Sequence, residues 1–252
     1  MWTRIRSSVI PFALVALTVL AAAPHASAQT VDELIARNMA ARGGEDRWRK
    51  VSTMRLTGVV NANGMEIITL QENKRPGMIR SEFTLQGMTG IQAFDGRSGW
   101  QLMPFGGRRE AEAVSNEDIK SLIEDADIEG ALVDWREKNH KVEYLGIEQV
   151  DGTDAHKIRI ERANGDITNV YLDAEHFLEI RIEKITKVRG TESEMVTDVG
   201  NYETVDGLVV PFLYETGAKG SPFKQKLRIT KFEVNVPVDD ARFAFPKGQD
   251  RR

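Results

Sequence analysis

The sequence has 252 residues, 34 basic and 38 acidic side chains, a net charge of −4, 41% hydrophobic residues and no cysteine. An acidic balance supplies no basic face for nucleic-acid phosphates. Without cysteine there is no disulfide, no thiolate zinc or iron–sulfur site, and no thiol to carry a lipid.

The first 28 residues have the three parts of a cleavable export signal. Arg4 and Arg6 form the basic start, Val9 to Ala23 is apolar apart from Pro11 and Thr18, and Ala26-Ser27-Ala28 supplies the small residues a signal peptidase accepts. The apolar run is about 15 residues, short of the ~20 that span a bilayer. Cleavage after Ala28 leaves residues 29–252, read as a single domain. It takes Arg4 and Arg6 away and moves the net charge from −4 to −6.

The first element after the leader is a helix. Thr30 and Glu33 have the capping-box spacing. Val31, Leu34, Ile35 and Met39 form an apolar stripe broken only at Asn38, and Gly43-Gly44 marks its end. Glu45 to Lys50 adds one short helical segment with Trp48. From Thr53 the period changes to two. Met54 and Leu56 alternate with Arg55 and Thr57, Met65 and Ile67 start the next run after an Asn63-Gly64 turn, and Ile79, Ser81, Phe83 and Leu85 alternate with Arg80, Glu82, Thr84 and Gln86. Ile91 to Phe94 and Trp100 to Met103 flank Asp95-Gly96. The spacing predicts an antiparallel meander.

A second helix interrupts the meander. Ser115 caps it, Ile119, Leu122, Ile123 and Ala126 mark one face, and Ile128, Leu132, Val133 and Trp135 carry the apolar signal past its end. Seven further extended runs follow: His140–Val150, Thr153–Arg162, Ile167–Leu172, Phe177–Val188, Glu194–Val205, Leu208–Glu215 and Phe223–Val236. Asp151-Gly152, Asn164-Gly165 and Asp206-Gly207 supply the positive φ that tight hairpins need. Turns at this density indicate one large antiparallel sheet with a few helices, a mainly β (α+β) fold.

Catalytic and metal motifs do not stand out. His140, His156 and His176 have no metal-ligand spacing, and there is no G-x-S-x-G, Walker loop or G-x-G-x-x-G. No catalytic residue, metal or cofactor is therefore expected. Met54, Met65, Met78, Met88 and Met103 crowd the first half of the sheet. They suit either an ordinary core or a surface that adapts to varied apolar shapes. Trp100 and Trp135 are open to the same two readings, core anchors or pocket walls.

Four stretches resemble the LolA/LolB-like superfamily of periplasmic lipoprotein and lipid carriers. Lys74-Arg75-Pro76 is similar to its K-R-P. Asp95-Gly96-Arg97-Ser98-Gly99-Trp100 through Pro104 is similar to its D-G-x-x-x-W-x-x-x-P hairpin. The helix after Ser115 sits where the family inserts a lid helix, and Val238 to Pro246 resembles its closing strand ending in F-x-F-x-P. Ala41 to Gly58 resembles the broader group of outer-membrane lipoprotein-sorting proteins. The pattern departs where Gly77-Met78-Ile79 replaces an aromatic-rich patch, and where Glu143 to Glu215 is longer and more charged.

The resemblance implies a half-open antiparallel β-barrel closed by plug and lid helices, with acyl chains bound between sheet and helices. It implies a soluble, monomeric periplasmic carrier of a lipoprotein or lipid. Its partners would be an inner-membrane exporter and an outer-membrane acceptor. Arg75 takes the family's lid-closing role. The expected cavity residues, by strand alternation and helix spacing, are Met54, Leu56, Met65, Ile67, Phe83, Leu85, Ile91, Trp100 and Leu102 from the sheet, with Ile119, Leu122 and Ile123 from the lid. The alternatives are a lipid-sensing module that binds an envelope signalling protein, and an envelope hydrolase.

Overall fold

The computed structural model describes residues 30–107, 110–188 and 191–246; the expected export signal lies outside the described residues. Helix α1 spans Val31–Ala41 and starts on the full capping box. The Thr30 hydroxyl accepts from the Glu33 N–H at 3.2 Å, and the Glu33 carboxylate accepts from the Thr30 N–H at 3.0 Å. Gly43 stops it at φ +103°. A Cβ there would lie 2.2 Å from the Gly207 carbonyl oxygen, so only glycine fits between α1 and the turn at Gly207. Helix α2 follows at Glu45–Arg49 and buries Trp48.

Thirteen strands form one sheet. They are β1 Thr53–Ala62, β2 Met65–Lys74, β3 Met78–Leu85, β4 Met88–Phe94, β5 Gly99–Leu102, β6 Glu112–Ala113, β7 Lys141–Val150, β8 Thr153–Glu161, β9 Ile167–Asp173, β10 Glu179–Val188, β11 Thr191–Val205, β12 Leu208–Ala218 and β13 Gln225–Val234. Their order is β6-β5-β4-β3-β2-β1-β13-β12-β11-β10-β9-β8-β7. The β1–β13 pair joins the two halves of the chain, and every neighbouring pair is antiparallel. The sheet does not close. Its two free edges, β6 and β7, are consecutive in sequence, and the chain between them carries helix α3, Asn116–Asp125. Among the described residues no helix is long and apolar enough to cross a membrane.

The face of the sheet toward the helices holds the main core. Met39, Trp48, Val51, Ile128 and Val133 pack on Leu208, Val210, Phe212 and Ile229, with Met54 and Leu56 against them. Leu34 and Leu132 pack on Ile158, Ile160, Val170 and Leu172. Helices α1 and α2 and the turns at 128–133 thus plug the middle of the half-barrel.

One end of the opposite face of β1–β5 is covered by the chain that follows β13, while Ile68 toward the other end stays exposed. The stretch Val238–Pro246, expected as a closing strand, contains instead a 3-10 turn at Asp240–Arg242 and adds no strand to the sheet. Its backbone is held by side chains. Thr53 donates to the Val236 carbonyl at 2.7 Å, Lys74 to Val238 at 2.7 Å, Arg80 to Arg242 at 3.0 Å and the Trp100 indole to Phe243 at 2.8 Å. Beneath it runs a ladder set by strand register. Arg55 lies across from Glu72 and Glu72 across from Arg80. Glu72 is 1% exposed and takes Arg55 on one oxygen at 2.8 Å and Arg242 on the other at 2.5 Å. A buried carboxylate is tolerable only with such complete pairing.

Candidate functional site

Helix α3 begins on Ser115, whose hydroxyl accepts from the Asp118 N–H at 3.1 Å. Ile119, Leu122 and Ala126 recur at helical spacing and pack on Ile79, Phe94 and Val114, over one end of β3 and β4. Its last turn is held by polar groups from both halves of the sheet. Asn73 on β2, fully buried, donates to the Asp125 carbonyl at 2.6 Å. The Glu124 carboxylate lies 3.4 Å from Arg162, just past β8, and 3.2 Å from Lys184 on β10. Helix α3 therefore bridges the gap that the open sheet leaves.

The turns after α3 are fastened to the plug. Arg75 donates to the Val51 carbonyl at 2.7 Å and the Trp48 carbonyl at 3.2 Å, and pairs with the buried Glu129 carboxylate. Arg42 donates to the Glu129 carbonyl at 3.0 Å. Two forked pairs, Arg49–Asp134 and Arg136–Asp32, tie the same turns to α2 and α1. Arg75 thus contacts the chain leaving α3 rather than α3 itself.

Between α3, these turns and the β8–β9 hairpin lies an open cleft of about 660 Å³. Its apolar lining includes Phe94, Ile123, Ala126 and Ile128; its charged lining includes Arg75, Lys120, Lys138, His140 and Arg162, with Glu124, Asp127 and Glu129. This volume falls in the ~300–1,000 Å³ range of small-molecule sites. Burial pushes the His140 pKa down, opposed by its bond to the Ala131 carbonyl, and the Arg162 and Lys138 charges push it further down. His156, in the core against Tyr144 and Phe177, is lowered for the same first reason, with Arg37 adding to it.

A folded-state histidine pKa below the ordinary value of about 6.5 means that the unfolded chain binds more protons as the pH falls. The histidine contribution to stability should be whole above about pH 6.5 and decline as the pH drops through the folded values. Urea unfolding at neutral and mildly acidic pH checks this, and His156→Leu should flatten the slope.

No protein-family model matches the sequence, and neither does any curated protein. Solved structures do match the fold. A LolA superfamily protein from Nitrosomonas europaea aligns with a TM-score of 0.57 over 86% of this chain and 98% of its own, at 13% identity. A domain from Vibrio parahaemolyticus named for outer membrane lipoprotein sorting aligns with a TM-score of 0.55 over 85% and 97%, at 13% identity. A DUF1329 family protein from Desulfovibrio piger aligns at 0.54 over 85% and 97%, with 12% identity. The chain has a LolA-like fold.

In this LolA-like half-barrel the expected cavity residues fall into three groups. Met54, Leu56, Met65, Ile67, Phe83 and Leu85 share the helix-facing side of the sheet, as the β1–β2 and β2–β3 registers require. Met54 and Leu56 are taken up by the plug, Ile67, Phe83 and Leu85 are half-buried, and Met65 is exposed at the hairpin end. Ile119 and Leu122 face β3 and β4, while Ile123 is 50% exposed and lines the cleft.

Ile91, Trp100 and Leu102 lie on the opposite face. They pack with Ala93, Ala111 and Phe245 under the C-terminal segment. The inward positions of β4 and β5 are held by Gln92, Phe94, Gly99 and Gln101. Both faces of this edge are covered, so an apolar residue there does not mark the inside. Asn73, Glu124, Glu129, Arg162 and Lys184 were not legible as site residues. Only Asn73 left a trace, as a polar residue at an inward position just before Lys74-Arg75-Pro76.

Proposed function

We propose that this protein is an exported carrier that binds the acyl chains of a lipid or lipoprotein without chemistry. The observation that carries it is the cleft at the mouth of a half-open barrel, where Phe94, Ile123, Ala126 and Ile128 provide an apolar lining beside a helix that spans the gap. The half-buried Ile67, Phe83 and Leu85 add apolar positions to the same face of the sheet, beyond the polar row of Gln71, Ser81, Gln92 and Gln101. Helix α3 rests on few apolar contacts and is pinned by exchangeable polar ones, which suits an element that must move to admit a chain. In this reading residues 29–252 act as one periplasmic domain between a donor and an acceptor in the two membranes. The lipoprotein-sorting name of the Vibrio parahaemolyticus domain agrees with such a role.

Native mass spectrometry of protein purified from its own cell envelope tests this. Co-purified lipid or acylated protein supports carriage; a protein that stays empty with every acyl ligand offered sinks it. The Ile123→Asp variant sharpens the test. Ile123 is half exposed, so stability should move by no more than ~0.5 kcal/mol. Acyl-chain affinity should fall roughly tenfold or more, the worth of one buried aliphatic side chain. Fluorescence titration with a palmitoyl ligand reads the difference.

A further inference from the structure

We propose that the cleft holds the anionic headgroup of the amphiphile whose chain the protein carries, with Arg162 as its main contact and Lys120 beside it. This rests on the carrier reading and names its ligand class. Basic groups reach the cleft from four separate segments: Arg75 after β2, Lys120 on α3, Lys138 and His140 before β7, and Arg162 after β8. They are not equally occupied. Arg75 is used by Glu129 and two backbone carbonyls, and Lys138 by Asp127 and the Gly130 carbonyl. Lys120 has no ion pair among the described residues, and Arg162 is poorly served.

Arg162 sits in the β8–β9 turn with its side chain largely buried. Its Nε is out of contact with solvent and makes no hydrogen bond. The nearest carboxylate oxygen, on Glu124, lies 3.4 Å away in a geometry that is not a hydrogen bond, and Glu124 also serves Lys184 at 3.2 Å. A buried guanidinium N–H without an acceptor is a costly arrangement that an incoming anion relieves. A phosphate or carboxylate matches the planar fork of arginine and gains two charge-assisted bonds. Because Phe94 and Ile123 line the same cleft, the fitting ligand is charged at one end and apolar at the other. An anion on Arg162 also competes with Glu124, so headgroup arrival and release of α3 from β8 become one event.

The test uses the mature full-length chain and calorimetric titration with palmitoyl lysophosphatidylglycerol, palmitoyl lysophosphatidylcholine and glycerol phosphate, below micelle-forming concentrations. The anionic lysolipid should bind about tenfold or more tighter than its zwitterionic partner, and the preference should shrink as salt is raised. Glycerol phosphate, which has no chain, should bind far more weakly than either. Arg162→Gln should erase most of the preference. Glu124→Gln, which removes the competing carboxylate, should strengthen anionic binding several-fold. Lys120→Gln serves as a second variant on a side chain with no ion pair among the described residues, and should lower the preference in a fully folded protein. Equal affinity for the two lysolipids, unmoved by these variants, overturns the headgroup site and leaves the carrier reading standing. Tight binding of glycerol phosphate alone overturns it in favour of a free-phosphate site. No binding of any lysolipid overturns both.

Discussion

Replacing Trp100 with alanine is expected to lower the free energy of unfolding by about 3–5 kcal/mol while leaving acyl-chain affinity of the folded protein unchanged. The indole is buried on the outer face of β5. It packs with Ala93 and Phe245 and donates to the Phe243 carbonyl at 2.8 Å, with the Arg80 guanidinium 5.5 Å from its ring centroid. Removing it opens a cavity under the C-terminal segment and leaves that carbonyl without its donor. Phe243, fully buried, should loosen with it. None of these atoms reaches the helix-facing side, where Gly99 and Gln101 flank Trp100 in the strand. Urea unfolding gives the first quantity and ligand titration the second. Near-native stability with lost binding would mean that Trp100 lines the cavity after all.

Arg75→Ala should act on the other side of the molecule. Glu129 is buried and draws on Arg75, which also donates to the Val51 and Trp48 carbonyls. Removing the guanidinium strands the Glu129 carboxylate and the Val51 carbonyl, while the Trp48 carbonyl keeps the Val51 N–H at 3.0 Å. The expected loss is about 2–4 kcal/mol, below the full cost of breaking a buried pair because Arg75 is itself about a third exposed. The effect should be local. Hydrogen exchange should accelerate in the turns at 128–133 and around Trp48, while the centre of the sheet at β8 and β9 stays protected. Arg75→Lys should restore little, since a single ammonium cannot serve three acceptors held in the geometry of a fork. Uniform acceleration across the sheet would argue that Arg75 supports the whole fold rather than this seam.

Local chemistry was readable residue by residue. The Thr30–Glu33 capping box, the Gly43-Gly44 stop, the Ser115 cap and the Asn-Gly and Asp-Gly hairpins each depend on a few neighbouring residues, and all stand where the spacing puts them. Alternation in β1 and β3 marked the helix-facing side because Met54 and Leu56, then Ile79, Phe83 and Leu85, alternate with charged or hydroxyl neighbours, whereas β2 carries apolar residues on both sides. At β4 and β5 the same rule failed: the C-terminal segment covers the outer face, and Ile91, Trp100 and Leu102 serve that cover. Two-residue β6 is too short to leave a period at all.

Near neighbours set caps, turns and two-residue periods, so two capped helices and a long antiparallel meander could be read from the sequence. The tertiary structure alone decided how the two halves meet. It paired β1 with β13, left β6 and β7 as open edges, and brought Arg75, Glu129, Glu124 and Arg162 around one cleft. Those side chains come from strands, turns and a helix far apart in the chain. Their pairing arises from long-range register and packing, and no local pattern of residues records it.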